Sequence, residues 1–271
     1  MTGKTGALAI TILLAACSGD PQPQGNHLAG NAATQFADRM SGTPEPAPPA
    51  KPFEKKDNGP QLEFTYAYPA QAAAVPALVE RFGARMKQAQ ADALKMAQSD
   101  AAEAKKNGYP FRPHSLETRW TVTADTPRFL ALEAESYVYT GGAHGMTGYD
   151  IVLWDKARRA ETSTAALWTS EKAFGAAIHD RFCAELDKQR ATKRGEPVVP
   201  GDDDFTKCID PLKEAIVPTS KDGKLIDGVT VVVGPYSAGP YAEGSYDVAL
   251  PVDAAMRNAV KTEYQDAFVV R

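Results

Sequence analysis

Hydrophobic periodicity changes along this chain from two to about three and a half and back again, and the order of those changes restricts the folds open to it. Leu62, Phe64, Tyr66 and Tyr68 alternate with other residues, the pattern of a half-buried strand. Pro76 suits a first helical turn. Val75, Leu78, Val79, Phe82, Met86, Ala89 and Ala93 then recur at steps of three and four, with Lys105-Lys106-Asn107-Gly108 as the stop. A helix of that span exceeds the usual globular length, which predicts a bend or break near Ser99-Asp100. Three strand-like runs follow, over 116–124, 127–139 and 148–155. Phe174, Ala177, Ile178 and Phe182 then mark a helix over about 170–192. Strands are expected over 215–218, 229–233 and 246–250, and a closing helix over about 253–262. Strand, helix, three strands, helix, strands and helix is an α+β order rather than a series of βαβ units. The expected architecture is a small strand-helix subdomain over 61–125 packed with an antiparallel-sheet and helix domain over 126–271, either as two subdomains or as one composite domain.

What precedes residue 61 reads as an address. Lys4, an apolar stretch over 7–14 and then Leu14-Ala15-Ala16-Cys17 have the form of a secretory signal, too short for a membrane-spanning helix. The tetrad resembles the lipobox of bacterial lipoproteins. That resemblance implies cleavage of residues 1–16 and acylation of Cys17, with several chains each contributing about 0.8 kcal/mol per buried methylene. Ser18 stands where an aspartate tends to retain such proteins at the inner membrane, so the expected location is the periplasmic face of an outer membrane. From 17 to 60 the chain carries eight prolines among small and polar residues, too little apolar surface to offset its backbone entropy. It is expected to be a semi-extended tether. With 30 Lys+Arg against 34 Asp+Glu the net charge is −4, which gives no electrostatic reason to hold nucleic acid.

Cys183 and Cys208 remain as an even pair in an oxidising compartment. A disulfide between them would contribute about 3 to 4 kcal/mol on the chain-entropy model. Zinc is the competing reading, and two cysteines without a nearby histidine pair supply too few ligands for it. No metal and no cofactor is expected.

Two segments carry the functional question. Tyr137-Val-Tyr139-Thr-Gly-Gly-Ala-His144-Gly joins two strands through a glycine-rich turn, and Gly234-Pro-Tyr236-Ser-Ala-Gly-Pro-Tyr241-Ala-Glu-Gly244 holds two tyrosines between prolines. His144 either faces a ligand or bonds neighbouring backbone within its turn. Tyr236 and Tyr241 either present a recognition surface or fold back on the core. Along the 127–139 strand, Leu130, Leu132, Ala134 and Val138 point one way, and Glu133, Glu135, Tyr137 and Tyr139 the other. Glu133 and Glu135 would stand about 7 Å apart, near a glycosidase carboxylate spacing, although exposed acids on a strand are usually solvated. His114 is placed in a loop, and His179-Asp180 on a helix, where adjacent residues do not face each other. Asp202-Asp203-Asp204 lacks an EF-hand spacing and reads as a solvated loop.

The two segments resemble, in order and separated by Leu167-Trp168 and an amphipathic helix, two signatures of an extracytoplasmic domain. It is found in RsiV-type lysozyme-binding anti-sigma factors and in PdaC-type peptidoglycan deacetylases. The resemblance covers about 61–271 and implies protein recognition by a domain that catalyses nothing. No anti-sigma segment and no separate deacetylase domain are expected, so neither signalling nor deacetylation is expected to transfer with the resemblance. The expectation is a lipid-anchored, non-enzymatic envelope protein that binds a lysozyme-like muramidase or peptidoglycan through Tyr137, Tyr139, His144, Tyr236 and Tyr241. The alternative is a wall-modifying enzyme using Glu133, Glu135 or His144 as acid and base.

Overall fold

The computed structural model describes residues 49–199, 201 and 203–271; the signal, Cys17 and most of the proposed tether lie outside the described residues. The first strand, β1 (Phe53–Asn58), lies within the span assigned to the tether and pairs antiparallel with β2 (Leu62–Tyr68). Its Lys- and Glu-rich sequence hides it from a periodicity search, because an edge strand with an exposed face needs little apolar patterning. A single turn α1 (Ala70–Ala73) leads into α2 (Pro76–Asn107). This helix runs unbroken for 32 residues, from Pro76 to a left-handed Gly108 cap at φ 75°. The expected break at Ser99-Asp100 does not occur. Ala97 just before it and Ala104 beyond it are buried, so tertiary contacts hold the last turns where propensity alone would let them fray.

Next come β3 (His114–Asp125), β4 (Phe129–Tyr139), β5 (Met146–Asp155) and β6 (Ala160–Thr162). With β1 and β2 they form one six-stranded sheet in the order 1-2-3-4-5-6. β2 and β3 are parallel, joined through α2, and every other neighbouring pair is antiparallel. The α+β class holds, with a single βαβ crossover inside it. The expected boundary at 125/126 falls in the turn between β3 and β4, inside a continuous sheet.

A second sheet, β7 (Ala215–Thr219), β8 (Gly228–Val233) and β9 (Tyr246–Pro251), is fully antiparallel. It packs with α3 (Glu171–Arg194), which is capped at its start by Ser170 and at its end by a left-handed Gly195. A short α4 (Ala254–Ala259), capped by Asp253, and a 3-10 turn over Thr262–Ala267 close the chain.

Alternation along β4 and β5 divides the core in two. Leu130, Leu132, Ala134, Val152 and Trp154 join Phe64, Leu78, Phe82 and Trp120 in a layer under α2. Phe129, Ala131 and Leu153 face the other way, into a larger core with Ile178, Phe182, Val231 and Val248. β3 switches between the two. Its register shifts between Val122 and Ala124, so Val122 packs with the α2 layer and Ala124 with the opposite core. The inserted residue is put to use: Thr123 Oγ1 donates to Pro218 O at 2.9 Å and its carbonyl accepts from Ser220 N, tying the bulge to the second sheet.

Candidate functional site

The glycine-rich turn after β4 and the loop between β8 and β9 lie far apart in sequence and meet in space. His144 stacks on Tyr241, with ring centroids 3.6 Å apart and planes 15° from parallel, and its Nε2 lies 3.3 Å from the Tyr236 hydroxyl. Tyr236 and Tyr241 are themselves 5.7 Å apart. The imidazole also places Nδ1 3.0 Å from Gly145 O. His144 thus bonds its own turn, as one sequence reading expected, and it also joins an exposed aromatic cluster. Tyr236 is 48% exposed and sits at φ 71°. A bulky side chain there carries a backbone cost of about 1–3 kcal/mol, which surrounding contacts must offset.

Tyr137 and Tyr139 build the turn rather than extend the cluster. The Tyr137 hydroxyl accepts from Gly145 N at 3.2 Å and the Tyr139 hydroxyl donates to Gly142 O at 3.2 Å. A β-carbon at position 145 would overlap the Tyr137 ring, so only glycine lets the turn close over it.

The β8–β9 loop is held from behind by charged residues that the chain reading missed. Arg194 binds Glu243 through both Nε (2.8 Å) and Nη2 (3.0 Å), and Tyr246 donates its hydroxyl to the same carboxylate. Burial opposes ionisation of Glu243, but the bonds from Arg194 and Tyr246 win and hold it below its ordinary value. Burial and the Glu243 charge together push Tyr246 up to about 12, so it remains a donor throughout the physiological range. Gly239 passes so close to Glu243 and Tyr246 that a side chain there would displace them. At the near end of the loop, Glu214 accepts from Gly234 N and from Ser237, and burial raises its pKa. Arg190, fully buried, donates Nε to Ala238 O at 2.9 Å. A signal for these arginines was available. Phe174, Ile178, Phe182, Leu186 and Arg190 follow one another at steps of four down the buried face of α3, and Arg194 is the next step. A charge on a core stripe needs a buried partner.

Glu133 and Glu135 line an open groove of about 400 Å³ with Glu117, Arg119, Thr121 and Tyr137, and His144 is not among its walls. Burial first, then the Asp247 and Glu135 charges, raise the Glu133 pKa. Arg119 bonds Glu117 and reaches Glu54 at 3.4 Å. A larger concavity of about 620 Å³, between β5 and the start of α3, is lined by Ile151, Trp168, Phe174 and Leu212 and holds none of the candidate site residues Glu133, Glu135, Tyr137, Tyr139, His144, Tyr236 and Tyr241.

Two further placements differ from expectation. His114 opens β3 rather than lying in a loop; it is 3% exposed, with Nε2 3.2 Å from Asp100 Oδ2 on α2. His179 and Asp180 do meet, Nδ1 to Oδ1 at 3.0 Å, because an exposed side chain can fold back along the helix surface. Asp203 and Asp204 are exposed, as expected of a solvated loop, and Asp203 accepts from Phe205 N and Thr206 to close a local turn. Cys183 and Cys208 are joined in a disulfide, with Cα atoms 5.4 Å apart. Among the described residues no helix is long and apolar enough to cross a membrane.

Comparison with known proteins agrees with part of this reading. Residues 55–147 match the family described as Deacetylase PdaC. The matched span takes in the first signature, with His144, and ends before the second. No curated protein matches the chain. Among solved structures, a DUF3298 family protein from Pseudomonas aeruginosa PAO1 is 18% identical over 83% of this chain and 99% of that one, with a TM-score of 0.48. A member of the same family from Bacteroides fragilis NCTC 9343 is 16% identical over 79% and 95%, with a TM-score of 0.46.

Proposed function

We propose that the folded part of this chain is a recognition module of the cell envelope. It docks a wall-associated partner, a lysozyme-like muramidase or peptidoglycan itself, through the His144, Tyr236 and Tyr241 surface, and it makes and breaks no bond. The observation that carries this reading is convergence: two segments about ninety residues apart build one exposed aromatic cluster, and the second is fastened at both ends by Glu214 and by Arg194–Glu243. Aromatic side chains on a loop already ordered present large area at small entropic cost, which is the economy of binding surfaces. The match to the PdaC deacetylase family, together with the resemblance to wall-facing receptor domains, favours the outside of the cell. Anchoring by lipid at Cys17, at the periplasmic face of the outer membrane, belongs to the same proposal.

The experiment is retention of a muramidase and, separately, of insoluble peptidoglycan by the purified chain. One of the two is retained, and Tyr241→Ala weakens that retention by about tenfold or more, as for the loss of a central aromatic contact. Retention unchanged by the variant removes the loop from the site, and retention of neither partner ends the proposal.

The competing reading, acid-base hydrolysis, draws on the raised pKa of Glu133 in its groove. It requires product release from muropeptides that Glu133→Gln abolishes.

A further inference from the structure

The Cys183–Cys208 crosslink has a neighbour that turns it into more than a staple. His179 stands one helical turn before Cys183 on α3, so the two side chains share a face. Its Nε2 lies 3.7 Å from Cys183 Sγ. The ligating atoms of His179, Cys183 and Cys208 all fall within 4.8 Å of one another, and all three residues reach solvent. Asp180 Oδ1, 3.0 Å from His179 Nδ1, is placed to accept an Nδ1 proton and so favour the tautomer with Nε2 open to ligate, the arrangement common behind metal-bound imidazoles.

What keeps Cys208 in place does not depend on the sulfur bond. Arg190 Nη1 and Nη2 donate to Thr206 O and Lys207 O at 3.3 and 3.1 Å, and Arg194 Nη2 donates to Phe205 O at 3.0 Å. Asp203 closes the turn ahead of them, and Ile209 and Leu212 pack on the core just after. The buried arginine thus clamps the cysteine-bearing loop against α3. With the bond broken, Cys208 would stay beside Cys183.

We infer that Cys183, Cys208 and His179 form a redox-gated site for a zinc-class divalent ion: closed while the disulfide stands, and a Cys2His set with one open position once it is reduced. Reduction to two thiols takes two electrons and two protons from an external dithiol, which becomes a disulfide, or two electrons from a phosphine, with water supplying the two protons and the oxygen of the phosphine oxide. The metal then displaces both thiol protons and binds two thiolates and the imidazole, with water in the fourth place.

The test uses the full chain with Cys17→Ser, so that only this pair supplies thiols. The protein is reduced with a phosphine, freed of reductant without oxygen, and titrated with Co2+ as the spectroscopic probe. One equivalent is expected to give tetrahedral ligand-field bands and a thiolate charge-transfer band, both displaced by Zn2+, while the oxidised protein gives neither. Cys208→Ser should abolish the bands, and Asp180→Asn should weaken binding by about tenfold or more. His179→Ala should weaken it further; it keeps the crosslink when oxidised, so its folding is checked in that state by near-ultraviolet circular dichroism. Binding unchanged in His179→Ala, or no thiolate band in the reduced chain, overturns the inference. So does loss of near-ultraviolet dichroism on reduction alone, since the arginine clamp would then not hold the loop.

Discussion

The two halves of the β4–β5 hairpin share one antiparallel register, from Phe129 opposite Asp155 to Val138 opposite Met146, yet they live in different environments. At the closed end, Phe129 to Leu132 and Val152 to Asp155 are all buried, with α2 on one side and the second sheet with α3 on the other. At the open end, Glu135, Val138, Met146 and Gly148 are exposed. Backbone pairing is continuous, so it does not explain the contrast. Coverage does: the layers that sandwich the hairpin stop partway along it, and stability gathers where both are present. The open end is left free to carry the turn with His144. One hairpin is thus a covered scaffold at its root and an exposed arm at its tip.

Substitutions can break or sharpen that contrast. The largest effect should come from Phe82→Ala, which empties a fully buried site between α2 and Trp120, whose rings stack at 4.6 Å. Unfolding free energy should fall by about 3–5 kcal/mol in denaturant titration. Partner retention by the folded fraction should stay the same, and a parallel loss of both would mean the two ends are not separable.

Asp155→Asn comes next, at about 2–4 kcal/mol. This carboxylate has no exposure, and it accepts Arg128 Nε and Nη2 at 2.9 Å each as well as the amides of Ala157 and Arg158. Burial works to raise its pKa, but those bonds outweigh it and hold the folded value below the ordinary one. A depressed folded pKa means the contribution is complete above the unfolded carboxylate value and disappears as pH falls through the folded one. The gap between parent and variant should therefore close in acid; a gap independent of pH would show that packing, not charge, is responsible.

Arg190→Met should cost about 1–3 kcal/mol, because it leaves the buried carbonyl of Ala238 and the part-buried carbonyls of Thr206 and Lys207 without this donor. Amide exchange should quicken in 203–208 and 234–244, away from the root of the hairpin. Uniform exchange across the chain would remove the arginine from its role as a loop clamp.

The smallest change belongs to the open end. Glu133→Gln should stabilise by less than about 1 kcal/mol at neutral pH and by nothing in acid. Burial and two neighbouring carboxylates raise the folded pKa of Glu133, so the fold loses stability as pH rises through that value, and the amide escapes the loss. A destabilised variant at neutral pH would place this acid in a favourable network and bring the groove back as a reactive site.

Much of this molecule could be read from its residues one element at a time. The alternation at Leu62 to Tyr68, the stripe from Leu78 to Met86 and the Phe174 to Phe182 face all locate real elements, since side-chain period reports directly on which face is dry. β1 was not legible, because a charged edge strand is stabilised by pairing with β2 rather than by its own pattern. The individual aromatic residues of the site were legible as candidates, but their contact was not.

Local chemistry set most elements and the residues worth watching, because those depend on neighbours a few positions away, and cysteine parity set the pairing of Cys183 with Cys208. Only the folded chain decided that His144 stacks on Tyr241, that Arg190 and Arg194 grip two loops at once, and that His179 flanks the crosslink. Such meetings depend on how sheets and helices cover one another, and that is settled by burial of surfaces distant in sequence rather than by any local pattern.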